Sequence, residues 1–139
     1  MDVATMRTAG NLPARLSDAF ITAQINGAVM KVKLEIGIVR YNEINGYSAT
    51  STDSENKFLY DKMQESIKYF TLEGLVSTGN IIYYEGMSSI IESTENAQFF
   101  NTAEIIKLSE YYNKKGKEAA YSLLSVEEPD LGGFSISVI

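Results

Sequence analysis

From Ile21 to Val39 the chain sets Ile21, Ile25, Ala28, Val29, Val32, Ile36 and Val39 at spacings of three and four. That spacing draws one apolar stripe along an α-helix. It constrains the fold strongly because the 139 residues contain no cysteine. With no disulfide or thiolate metal site available, the structure must rest on burying apolar faces. Ser17 or Asp18 supplies the N-cap of this helix. Gly27 interrupts the stripe at a cost of about 1 kcal/mol relative to Ala. It marks either a close approach of a neighbouring backbone or a merely tolerated glycine. Leu34 to Val39 is rich in β-branched residues and also reads as a strand, in which case the helix ends near Gly37.

The remaining punctuation gives a mainly α fold: a bundle of about three main helices, with an extended C-terminal tail. Residues 1–16 carry Gly10, Asn11 and Pro13 and read as a flexible arm ending near Leu16. Asn45-Gly46 and the Ser/Thr cluster to Asp53 mark a turn and a loop. Thr52 with Glu55 makes a capping-box pattern ahead of a second helix. Leu59, Met63, Ile67 and Phe70 share one face of it, and Gly74 is placed to stop it. Residues 75–92, with Thr78-Gly79-Asn80 and then Ile81 to Tyr84, read as a short strand or a loop over the core. Asn101 with Glu104 caps a third helix whose one face carries Ile105, Leu108, Tyr112, Ala119 and Leu123. Lys114, Lys115 and Lys117 lie in its second half, where the helix dipole favours cations.

The chain also contains no histidine. A Ser-His-Asp triad, a Cys-His dyad and a histidine metal site are therefore impossible within it. Neither a P-loop nor a GxGxxG motif cradles phosphates, and the EF-hand ligand spacing is absent. Only carboxylates remain for acid–base work, such as Asp53 with Glu55 or Glu92 with Glu95. A helix cap and a solvated loop explain both pairs more simply. The expectation is a chain that is not an enzyme and uses no metal or cofactor. No apolar run is long enough to span a membrane, and Met1 to Gly10 lacks a secretory h-region, so the chain reads as a cytoplasmic product.

What is abundant points to contact with other proteins. The net charge of −6 opposes phosphate binding. It is also uneven: residues 1–41 sum to +2 and residues 42–139 to −8. Such a split suits head-to-tail contact between copies, although an unevenly charged solvated surface explains it too. Nine Tyr and six Phe enrich the chain in residues that anchor interfaces. Tyr83-Tyr84 and Tyr111-Tyr112 are adjacent pairs whose two members cannot both face one core. These four are the candidates for subunit contacts, with ordinary core and boundary packing as the alternative. After Gly132-Gly133, the run from Phe134 to Ile139 alternates with period two. Phe134, Ile136 and Val138 then share one face, flanked by Leu131 and Ile139. Ordering such a tail costs more than three buried side chains return. It therefore calls for backbone pairing with a partner's sheet edge and several tails acting together. A tail folded back on its own domain is the other reading.

Taken together, the layout resembles the helical head–tail connector (adaptor, or head-completion) proteins of tailed bacteriophages. Leu16-Ser17-Asp18 followed by Ile21, Ile25 and Val29 is similar to the start of that family's first helix. Phe58 to Leu72 matches its second helix. Ser77-Thr78-Gly79-Asn80-Ile81 matches a turn into a β-like stretch, with Asn80 where the pattern has an acidic residue. Glu104 to Leu124 matches its final amphipathic helix, and Gly37 comes earlier than the family's long first helix suggests.

The resemblance implies a connector domain over 17–124 and a docking tail over 125–139. It implies a subunit of a homo-oligomeric ring, commonly of twelve, that binds beneath the portal and extends the DNA channel. A stopper or tail-completion protein would lie below, and DNA would pass through the lumen without specific binding. The protein would sit in the virion neck after assembly in the bacterial cytoplasm. The alternative expectation is a small cytoplasmic helical binding or regulatory module without catalytic activity.

Overall fold

Ser17 caps the longest stretch of the apolar stripe, its side-chain oxygen accepting a hydrogen bond from the Phe20 N–H at 3.1 Å. In this computed structural model, residues 1–10, 12, 14, 16–48, 51–79 and 102–124 are described. Among them are five helices: α1 (Val3–Gly10), α2 (Asp18–Ile36), α3 (Ile38–Asn45), α4 (Ser54–Gly79) and α5 (Thr102–Tyr121). The described residues are mainly helical and contain no strand. Part of the strand-or-loop segment (80–92), Asn101 and the tail (125–139) lie outside the described residues.

α4 is the element the others share, packing along both α2 and α5. It needs a different surface for each. Met63, Ile67, Phe70, Leu72, Leu75 and Val76 are all buried, so its apolar surface is wider than the single face read from the sequence. Two glycines let the helices approach. A β-carbon at Gly116 would come within 2.7 Å of the Phe70 ring, and Ser66 donates a 2.7 Å hydrogen bond to the Gly116 carbonyl. At the other crossing, a β-carbon at Gly74 would collide with the Gln24 side chain of α2. Gly74 therefore does not stop the helix; it lies under the Gln24 amide of α2, and α4 runs on to Gly79. Its N-cap is Asp53 rather than Thr52, with the Asn56 N–H donating to Asp53 Oδ1 at 3.0 Å.

The break at Gly37 decides the direction of α3. Its φ of 88° lies where a side chain is strained, and its N–H closes on the Lys33 carbonyl at 2.8 Å. The helical reading of α2 holds to Ile36, and the strand alternative for 34–39 is replaced by a second helix. The break also shifts the phase of the apolar stripe. Val39, expected on it, is 80% exposed, while Tyr41 and Ile44 turn inward. Arg40 then reaches across, Nε donating to the Leu123 carbonyl at 2.7 Å and Nη1 pairing with Glu43.

The flexible arm expected over 1–16 is a correction. Asp2 caps α1 through the Thr5 N–H, and Met6, Leu12 and Leu16 join the common core. Arg7 ties the segment down, donating to the Leu16 carbonyl at 2.6 Å and pairing with Asp18 at 2.7 Å. Gly10, Asn11 and Pro13 are turn signals in the sequence, and Gly10 ends α1. They are outweighed by three apolar side chains whose burial contributes roughly 1.5–3 kcal/mol each. A β-carbon at Gly10 would press on Leu12, Leu72 and Met6 at 3.0–3.1 Å, so the end of α1 sits directly on α4.

Candidate functional site

The aromatic pair on α5 divides between inside and outside. Tyr112 is buried, its ring stacked on Tyr69 at 6.2 Å between centroids. It belongs to this chain's own core, which corrects its place among the subunit-contact candidates. Tyr111 is about half exposed and meets Tyr112 edge-on at 5.5 Å, with Lys115 Nζ 5.8 Å from its ring. Neighbouring positions on a helix point about 100° apart, so Tyr112 turns to the core and Tyr111 to the boundary. Tyr83, Tyr84, Leu131, Phe134, Ile136, Val138 and Ile139 lie outside the described residues.

One buried-edge carboxylate links the three long helices. Glu73 on α4 accepts from Lys31 of α2 at 2.5 Å and from Asn113 of α5 at 3.2–3.3 Å. An open groove of about 450 Å³ runs beside it, lined also by Ile106, Ser109 and Glu110. Lys31 further lies 4.9 Å from the Phe70 ring centroid. Its ammonium is thus held between a carboxylate and an aromatic face, drawn back toward the core. Nothing in the sequence pattern singles out Glu73; only the helix crossing reveals it.

Asp53 serves as a helix cap, and Glu92 and Glu95 lie outside the described residues. Elsewhere the shifted groups have structural causes. The Arg40 hydrogen bond holds the Glu43 carboxyl below its ordinary value, and the Thr5 N–H does the same for Asp2. Burial pushes the Tyr41 phenol up, with a smaller push from Tyr60. Among the described residues, no group of three Asp or Glu could hold a metal ion, and no helix is long and apolar enough to cross a membrane.

The unusual surface is the outward side of α2. Counting 100° per residue, Ala19, Ala23, Asn26, Gly27, Met30 and Leu34 lie opposite the buried stripe, and all six are exposed. No charge falls among them: Lys31 is drawn to Glu73, and Lys33 lies 5.1 Å from the Tyr41 ring centroid. A surface helix normally turns a charged face to water, so an uncharged outward face with Met30 and Leu34 exposed suits cover by a partner. Ile38 and Val39 prolong the patch past the Gly37 break. A second exposed set lies on α5, with Ile106, Tyr111 and Tyr121 among Lys107, Glu110 and Lys114. The first patch escapes a reading by apolar spacing because its members are small or isolated along the sequence. The signal that finds it is the missing charge on the far side of the stripe.

No protein-family profile matches the chain, and no curated protein or solved structure matches it either.

Proposed function

We propose that this chain is an assembly subunit of the head–tail connector of a tailed bacteriophage. It would form a ring beneath the portal and extend the DNA channel toward the tail. The observation that carries this reading is the pair of unlike uncovered surfaces on helices that both lean on α4. One is the uncharged α2–α3 face with Met30, Leu34, Ile38 and Val39; the other is the mixed α5 face with Ile106, Tyr111 and Tyr121. A closed ring needs a head-to-tail contact between two different patches of the same chain, repeated until it closes. Weak contacts of this kind gain strength by repetition around the ring.

The finer architecture belongs to the same proposal. The three long helices make the connector body, and the alternating segment from Phe134 to Ile139 docks on the portal through backbone pairing. The acidic composition suits a lumen that passes DNA without gripping it. The chain turns over no substrate and needs no cofactor; its work is done by binding. A chain ending at Glu128 keeps every helix described above. It is expected to show the helical circular dichroism of the full chain and no retention on immobilised portal protein. Retention equal to the full chain would overturn the tail mechanism. A helical regulatory module is the competing reading, and it predicts one dominant partner with no ring under any condition.

A further inference from the structure

We propose that, away from its platform, the outward face of α2 is closed by the same face of a second copy. The two helices run antiparallel about a two-fold axis between Asn26 and Gly27. Side-chain size changes along the face. Its N-terminal half carries Ala19 and Ala23, and its C-terminal half carries Met30 and Leu34. An antiparallel pair centred between residues 26 and 27 sets Ala19 against the partner's Leu34, Ala23 against the partner's Met30, and Asn26 against the partner's Gly27. Every layer then joins one large and one small side chain, the arrangement that fills space between facing helices without voids or clashes. A β-carbon at Gly27 would meet nothing within 4 Å in its own chain, so the intrachain packing does not require glycine there. At the centre of a helix pair, glycine lets the two backbones approach.

Charge also favours a second copy as the occupant. A two-fold axis brings like residues near one another, so a charged face would repel itself at the centre. This face carries no charge over the roughly 22 Å from Ala19 to Leu34. The antiparallel arrangement further sets each helix's N-terminal dipole end beside the other's C-terminal end. Met30 and Leu34, at 56 and 81% exposure, are the largest uncovered side chains of the paired face. With Ala19, Ala23, Asn26 and Gly27 they present a few hundred Å² per copy, below the roughly 800 Å² a side of a standard stable interface. The dimer is therefore weak and concentration-dependent.

The pair occupies one of the two surfaces that the head-to-tail ring needs. Dimerisation thus keeps free subunits from polymerising until a platform displaces the partner. That resting role depends on the ring reading; the pair itself does not.

The absence of cysteine makes the register directly testable. Single-cysteine variants Ala23→Cys and Met30→Cys are each oxidised alone and then as an equimolar mixture, at protein concentrations on the order of 100 μM. In the proposed pair, each position faces the other's counterpart and lies about 10 Å along the axis from its own. The mixture is expected to give a disulfide-linked dimer several-fold more abundant than either variant alone. Equal self-linking of the single variants would overturn the register, and no linking in any sample would overturn the pair. As a second readout, sedimentation of the cysteine-free chain is expected to show a monomer–dimer equilibrium that Leu34→Glu shifts to monomer, with unchanged circular dichroism. A cysteine-free chain monomeric throughout that concentration range would contradict the proposal. None of these measurements involves a portal, so failure here is distinct from failure of the ring reading.

Discussion

Two glycines within α2 and at its end have opposite duties. Gly37 occupies a left-handed backbone conformation, and its break turns Tyr41 and Ile44 inward. Gly37→Ala is expected to lower unfolding stability by roughly 1–2 kcal/mol in urea titration. Gly27 sits in a helical interior with open space around its α-carbon. Gly27→Ala is expected to raise stability by about 0.5–1 kcal/mol in the same assay. Similar losses at both sites would contradict the assigned roles. In the sequence Gly27 reads as an interruption of the stripe, and Gly37 as the helix end if Leu34 to Val39 is a strand. Which interruption is structural depends on backbone angles and on what lies across the gap, and neither is written in the residue spacing.

Among elements, α4 is where sequence reading stops short. The apolar spacing of Met63, Ile67 and Phe70 announces one buried face, and the structure agrees. It does not announce the second contact surface, since Ser66, Thr71 and Gly74 look polar or helix-breaking in isolation. Ser66 and Thr71 are buried because the carbonyls of Gly116 and Ile67 satisfy their hydroxyls. Phe70 and Gly116 form the tightest side of the α4–α5 crossing, so Gly116→Ala is expected to cost about 1–3 kcal/mol by overpacking. Thermal unfolding of that variant alongside a surface control checks the size of the effect. At the α3–α5 junction the same logic gives a pH response. The Arg40 hydrogen bond depresses the Glu43 carboxyl below its ordinary 4.5 in the folded chain. Its contribution is present above that value and is lost as pH falls through the lower folded one. Glu43→Gln should therefore lose less stability than the parent chain as pH falls below 4.5, as read by denaturant titration. The 1–16 segment teaches the complementary lesson: its glycine and proline signals are legible in the sequence, while the burial of Met6 is not.

For the whole molecule, the lack of histidine and cysteine is enough on its own to exclude the commonest catalytic and zinc-binding chemistries. The fold adds a helix whose outward side is uncharged and uncovered, and a second exposed set across α4 on α5. A subunit awaiting neighbours needs such surfaces. The most direct test of the proposed connector role is negative-stain electron microscopy of the full chain mixed with phage portal rings encoded beside it. The account predicts one additional ring of density beneath each portal, present with the full chain and missing with the chain ending at Glu128. Portal particles that remain unchanged at saturating concentrations of folded full-length protein would contradict it.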